Sequence, residues 1–349
     1  MKYEKHQEGK VRITVPEGGV YERNVFFNPE AELTRDISVA ALQIFQKKFD
    51  SSLIVCDALS GSGARGLRYA KEVKKVKNIV LNDKNPISVK IIKKNIKENK
   101  LEKKCTATKK DANLLMRENV YNVIDIDPFG SPTLFLDSAA RSIYHSGLLM
   151  VTATDLMVLS GVFPDACFKK YGVKSLKADY YSELGARIMI SSIIRACARR
   201  ERAFVPLMTF AEKHYVRVIG RMGSASELTK IIKKFGYVTE GEKTVGPVYL
   251  GPLQDKKFCK EVKEEIEKRK FRLAKKEIKL IDMLIKESGM PAFYYDVHKI
   301  AKKIKKTVPK FETIIDNLKK KGFKASKTHF CEYGIKTDAD YKSLTKSIS

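Results

Sequence analysis

Between Asn122 and Pro132 the chain reads NVIDIDPFGSP. An apolar run of strand type ends in two alternating carboxylates, and Asp127 is followed at once by Pro128, Phe129 and Gly130. Strand ends in α/β sheets are where such folds place their chemistry. These four residue types suit work on an exocyclic base amine. The lone pair of such a nitrogen is delocalised into the ring, which makes it a poor nucleophile. The Asp127 carboxylate and a nearby main-chain carbonyl can hold both N–H bonds, so that the lone pair turns toward an electrophile. Pro128 lacks an N–H and fixes φ. Phe129 offers a ring on which a splayed-out base stacks, and Gly130 lets the backbone turn close to a substrate. The plainer alternative is a turn that caps a strand.

A second group lies upstream. DALSGSGARG, residues 57–66, contains G-x-G-x-x-G at Gly61, Gly63 and Gly66, after a strand-like run and at the start of a helical one. Alone the motif is weak, because dinucleotides and S-adenosylmethionine both use such loops. Asp57 closes the strand before the loop, where it would repel a pyrophosphate but suits a ligand carrying an ammonium and a sulfonium. Asp83, in VLND, ends the second strand 22 residues after Gly61. An acid there accepts from both ribose hydroxyls, which fits either ligand. Asp111, in KKDAN, ends the third strand, where an adenine amine can donate to it. Arg65 suits a phosphate or a carboxylate equally. Asp127 breaks the tie: a dehydrogenase has no evident use for Asp-Pro-Phe-Gly after its fourth strand, whereas a methyltransferase acting on a base amine has one.

The elements that must position these residues alternate from Leu53 onward. LIVCDAL, NIVLND, CTATKKD, YNVIDID and GLLMVTATD read as strands, with helical periodicity in GARGLRYAKEV, PISVKIIKKNIKENK, ANLLMREN and TLFLDSAARSIY between them. A helix of about 20 residues near YSELGARIMISSIIRACARR precedes two strands, AFVPLMTFAE and YVRVIGRM, which have no helix between them. The expected fold is α/β: a mostly parallel, doubly wound sheet with an antiparallel hairpin on its edge. The residues before Leu53 read first as short strands and turns. After Met222 the composition shifts: residues 223–349 carry a net +13 against +14 for the longer residues 1–222. A domain division of 1–222 and 223–349 follows, with GSASE as linker or helix cap. The basic part offers one long helical stretch, FCKEVKEEIEKRKFRLAKKEIKLIDMLIKES, then VHKIAKKIKK, PKFETIIDNLKKKG and a strand pair in FKASKTHFCEYGIKT. That order suits an α+β domain with a winged-helix-like part.

Composition narrows the partner. A formal net charge of +27 exceeds what solubility asks for and attracts polyanions, with nucleic acid foremost. The opening MKYEKHQEGK has no apolar core of a secretory signal, and stretches such as GLLMVTA are too short to span a membrane. Six scattered cysteines with no CxxC pair support neither a disulfide scaffold nor a cysteine zinc site. A cytoplasmic protein acting as a monomer is expected.

The sequence resembles the tRNA (guanine-26-N2)-dimethyltransferase family, archaeal type, over nearly its whole length. VFFNPEAELTRDISVAAL, DALSGSGARGLRYAKE, LNDKNP, DIDPFGSP, TATDLMVLSG, YYSELGARIMI, YVRV, GPVYLGPLQD and SKTHFCEYGIKTDA carry the likeness. The resemblance implies a Rossmann-like class I methyltransferase domain, a family-specific C-terminal domain, S-adenosylmethionine as donor and the N2 amine of tRNA guanine 26 as acceptor. It implies that Arg35 and Arg65 surround the methionine moiety, that Asp83 takes the ribose, and that Asp111 and Ala112 take the adenine. Asp127 becomes the catalytic acid, flanked by Pro128 and Phe129, with Phe27 lining the guanine pocket. An arginine before the first strand is usually a surface or ion-pair residue, so Arg35 rests on the resemblance alone. Many relatives carry a four-cysteine zinc site before a GPLW-like segment; the corresponding region here has no cysteine. No metal is expected, with packing in its place and Tyr249 or Leu250 at the family's tryptophan. The competing readings are a guanine-N2 or adenine-N6 methyltransferase for another RNA or DNA, and a non-catalytic basic nucleic-acid-binding protein.

Overall fold

Strand–helix alternation builds the centre of the molecule. The computed structural model describes residues 2–18, 24–49 and 51–348; the part of the N-terminal reading that falls on residues 19–23 lies outside them. An antiparallel hairpin, β1 (Tyr3–Glu8) and β2 (Val11–Pro16), precedes α1 (Glu32–Lys48). Then come β3 (Leu53–Asp57), α2 (Ala64–Glu72), β4 (Val76–Asn82), α3 (Pro86–Glu98), β5 (Cys105–Thr108), α4 (Ala112–Glu118), β6 (Tyr121–Ile126), α5 (Thr133–Ser142) and β7 (Ile143–Ala153). Two short helices, α6 (Leu156–Leu159) and α7 (Pro164–Tyr171), lead to α8 (Tyr181–Ala198), β8 (Ala203–Glu212) and β9 (Tyr215–Gly223). The seven strands order as β5-β4-β3-β6-β7-β9-β8, parallel except where β9 pairs antiparallel with β7 and β8. This is the Rossmann-like sheet with the expected closing hairpin. Ile143 and Tyr144, read as the tail of a helix, belong instead to β7.

The two sheet faces bury different cores, as period-2 alternation demands. Cys56, Ile124, Leu149 and Val151 face α5 and α8. Val55, Val123, Leu148 and Met150 face α1 and α2. Asp57 and Asp125, at the same parity as Val55 and Val123, therefore point toward α1 and α2.

Beyond Gly223 the chain forms α9 (Ala225–Ile232), β10 (Phe235–Glu240), β11 (Lys243–Tyr249), α10 (Lys256–Arg269) and α11 (Ala274–Glu287). GSASE is the cap of α9: Ser224 accepts from the Glu227 N–H and the Glu227 side chain accepts from the Ser224 N–H. The long helical stretch is broken in two. Lys270 takes a left-handed φ of 54°, which turns the chain back and lets Phe258, Val262 and Ile266 of α10 and Leu280, Ile281 and Leu284 of α11 enter one core with α1. Leu228, Ile231, Val245 and Val248 join the opposite core. A separate small core forms within β12 (Tyr295–Asp296), α12 (Val297–Lys303), α13 (Phe311–Lys320), β13 (Ala325–Lys327), β14 (Gly334–Thr337) and α14 (Tyr341–Ile348). Two helices followed by a strand pair, with β12 completing a three-stranded sheet, match the winged-helix-like order.

Candidate active site

Parallel pairing of β5, β4, β3 and β6 brings the ends of four strands, and with them Asp111, Asp83, Asp57 and Asp127, to one sheet edge. The glycine loop is tied to two of these acids. Asp83 accepts from the Gly61 N–H at 3.0 Å and the Asn85 N–H at 2.8 Å. Asp57 accepts from the Gly66 N–H at 3.0 Å. Gly61 has φ +56°, and a Cβ there would stand 2.7 Å from the Phe26 carbonyl oxygen, so only glycine closes this turn. Burial pushes both carboxyls up; for Asp57, with the neighbouring Asp125 charge adding to it, the value reaches about 7. Asp111 is exposed and caps α4 by accepting from the Asn113 and Leu114 N–H groups, with Ala112 buried behind it.

Asp127 stands one residue past β6, and its Oδ2 receives Nη2 of Arg65, a buried residue of α2. The Arg65 guanidinium also donates to Ser38 Oγ at 3.1 Å. The same oxygen accepts from Arg217 Nη2 at 3.1 Å and donates to the Thr34 carbonyl at 2.6 Å. Arg217, fully buried on β9, grips both oxygens of Asp125 at 2.7 Å and donates to Thr152 Oγ1 at 2.9 Å. Tyr69 donates to Asp125 at 2.6 Å. Burial alone would raise the Asp127 carboxyl, but the charge of Arg65 and then that of Arg217 outweigh it and hold the group below the usual carboxylate range. Asp127 is therefore an anion with a fixed orientation and low proton affinity.

An aromatic pair stands beside it. Phe129 is 63% exposed, and its ring meets that of Phe26 edge-on, centroids 4.3 Å apart at 74°. Pro128 is buried beneath. Gly130 has φ +85°, donates its N–H to Thr154 Oγ1 at 2.7 Å and accepts from the Thr154 N–H at 3.0 Å. Among the described residues, and apart from its chain neighbours, no heavy atom lies within 4 Å of where a Cβ would stand. Phe27 and Arg35 sit one layer deeper. The Phe27 ring is buried between His6, at 4.9 Å, and the Arg35 guanidinium, at 5.3 Å. Arg35 grips both oxygens of Glu8 and donates to the Asn28 carbonyl at 3.0 Å.

The structure thus brings Asp57, Gly61, Gly63, Arg65, Asp83, Asp127 and Phe129 to one end of the sheet. Phe26 rather than Phe27 meets Phe129. Sequence reasoning missed Phe26, Ser38, Thr152 and Arg217. Phe26 is the first ring of FFNP, and Ser38, Thr152 and Arg217 lie inside TRDISV, TATD and YVRV, stretches that carry the family likeness without marking these residues.

Among the described residues no cluster of three or more His, Cys, Asp or Glu is placed to hold a metal ion, and no helix is long and apolar enough to cross a membrane. Tyr249 is buried, with its N–H donated to Ser191 Oγ at 2.8 Å and its hydroxyl to the Pro252 carbonyl at 3.2 Å.

Comparison with known proteins places this architecture. The family model described as N2,N2-dimethylguanosine tRNA methyltransferase matches residues 9–243 and 239–349. The tRNA (guanine(26)-N(2))-dimethyltransferase of Methanococcus maripaludis is 37% identical over 367 residues, covering 98% of this chain and 97% of the relative. That of Methanosphaera stadtmanae is 35% identical over 375 residues, covering 98% and 95%. The structure of Trm1 from Pyrococcus horikoshii in complex with S-adenosyl-L-methionine superposes with a TM-score of 0.91 at 33% identity, covering 99% of each chain. The chain belongs to the N2,N2-dimethylguanosine tRNA methyltransferase family.

Proposed function

We infer that this chain is an S-adenosylmethionine-dependent tRNA (guanine-26-N2)-dimethyltransferase, and that Asp127 orients the guanine amine. Family membership carries the activity. The observation that supports the role of Asp127 is its ion pair with Arg65 at the sheet edge, beside the exposed ring of Phe129.

The residues present fit the cofactor. The Gly61 turn has no room for a side chain. Asp83, fixed by two backbone N–H groups, keeps lone pairs for ribose hydroxyls, and Arg35, Asp57, Gly63, Arg65, Asp111 and Ala112 complete the proposed set. Bound there, S-adenosylmethionine supplies an electrophilic methyl group on a sulfonium.

Asp127 accepts an N–H of the guanine amine and a main-chain carbonyl accepts the other, which aims the lone pair. Phe129, with Phe26 at its edge, stacks the extruded base. As the N–C bond forms, the amine becomes strongly acidic, so a carboxylate of low proton affinity suffices to take the proton or pass it to water. Orientation and proton removal together contribute about 10²–10⁴ in rate. For the second transfer the monomethylated amine presents its remaining N–H to Asp127. The open space over Gly130 accommodates the first methyl.

The basic residues 223–349 supply much of the tRNA affinity in this proposal, and the protein acts as a cytoplasmic monomer. Its six unbridged cysteines suit a reducing compartment. The test uses tRNA transcripts with guanine or adenine at position 26, labelled S-adenosylmethionine and mapping of the product. Dimethylguanosine at position 26 of the first transcript alone supports the reading. Label at another position, or on another RNA only, supports the broader nucleic-acid methyltransferase instead.

A further inference from the structure

The segment that leaves the catalytic end of β7 carries exposed apolar side chains that the methyl transfer does not use. Met157 on α6 is 58% exposed, Val162 and Phe163 in the bend before α7 are 47% and 48%, and Phe168 on α7 is 55%. Proteins rarely leave such side chains clustered without a partner. The lobe is fastened to the Asp-Pro-Phe-Gly turn: the two hydrogen bonds between Thr154 and Gly130 lie just before it. Asp155 accepts from Tyr171 at the end of α7 at 2.6 Å, which closes the lobe on itself. The lobe therefore starts from the same turn that carries Phe129. Lys169 and Lys177, both exposed, follow on and just beyond α7.

We propose that this lobe is a second RNA-docking surface, on which unstacked nucleotides beside the target guanine lie against Met157 and Phe163 while Lys169 and Lys177 meet their phosphates. The proposal rests on the methyl-transfer reading above. Drawing one base out of a stack exposes the faces of its neighbours, and apolar or aromatic side chains are what such faces accept. The flanking charge selects the same partner. Two copies of a chain carrying +27 would bring the same lysines face to face, whereas a polyanion neutralises them.

The experiment uses the full chain and a tRNA transcript with guanine at position 26. Met157→Ser with Phe163→Ser should raise the Kd and KM for tRNA about tenfold, the effect expected on removing a stacking side chain. S-adenosylmethionine affinity should stay unchanged and kcat within about twofold. Apolar contacts release no counterions, so the slope of log Kd against log salt should match the parent's, while Lys169→Ala with Lys177→Ala should make it shallower. Unchanged tRNA affinity in the serine variant overturns the assignment. So does a change in oligomeric state, or in binding to anionic vesicles, that leaves tRNA affinity intact. A parent protein that does not methylate tRNA would instead refute the underlying reading, which separates the two failures.

Discussion

Arg65 and Asp127, 62 residues apart in sequence, meet as an ion pair that joins the glycine loop to the end of β6. The contact links the two halves of the site, the loop proposed for the cofactor and the carboxylate proposed for the base. It also sets the charge of that carboxylate, because the Arg65 guanidinium is the largest influence holding Asp127 ionised against its burial.

Arg65→Gln should therefore raise the Asp127 carboxyl toward or past its usual value. A group whose proton affinity rises is protonated at higher pH, so the acid limb of the kcat/KM profile moves to higher pH. The parent should keep its activity further into acid. An acid limb that stays in place would show that Asp127 is not the titrating group.

Asp83→Ala should weaken S-adenosylmethionine binding by at least about tenfold, since hydrogen bonds to a charged acceptor are worth about 1.5–3 kcal/mol each. The variant also leaves the Gly61 and Asn85 N–H groups without their acceptor. Asp83→Asn, which keeps an acceptor for the Gly61 turn, should recover only part of the loss. Calorimetry with the cofactor measures both.

Asp36 of α1 and Glu277 of α11 are buried carboxyls in contact, with Arg68 paired to Asp36; burial raises both, which favours one shared proton between them. Burial first, then the contact with Asp36, pushes Glu277 from 4.5 up to about 10. The folded protein holds a proton that the unfolded chain releases above 4.5. Stability from this pair is therefore fully present below that pH and is lost as pH rises toward 10. Glu277→Gln cannot ionise and keeps the contact. Its Tm relative to the parent should rise between about pH 5 and about pH 9. A constant difference across that range would refute the shared proton.

Neutralising Lys320 and Lys321, both exposed at the end of α13, should weaken tRNA binding and reduce its salt slope by about 0.9 for each duplex phosphate left without its lysine. A cut after Met222 is a poorer test. It would strip α9, β11, α10 and α11 from the two cores of the central sheet and confound binding with folding.

Much of this was legible in the sequence because it is local. Alternation of strand and helix from Leu53 to Ala153 fixes which carboxylates end strands, and parallel pairing then brings Asp57, Asp83, Asp111 and Asp127 to one edge. What escaped depends on distant packing. Phe26 and Phe27 are neighbours of one type, and only the tertiary fold decides which is buried. Arg217 reaches Ser38 across 179 residues, and no spacing rule connects an arginine on the closing hairpin to a serine on α1. The break at Lys270 lacks glycine and proline, so a helical pattern runs through it. The hairpin exists because both helices bury apolar faces against α1.

The most direct test of the central claim compares Asp127→Ala and Asp127→Asn with the parent by nucleoside analysis of tRNA bearing guanine at position 26. The parent should accumulate N2,N2-dimethylguanosine. Asp127→Ala should lose about 10²–10⁴ in kcat with cofactor and tRNA affinity nearly intact. Asp127→Asn, which keeps an acceptor oxygen but not the charge, should fall between them. Near-normal turnover by Asp127→Ala would contradict the account and leave the Asp-Pro-Phe-Gly turn a structural cap on β6.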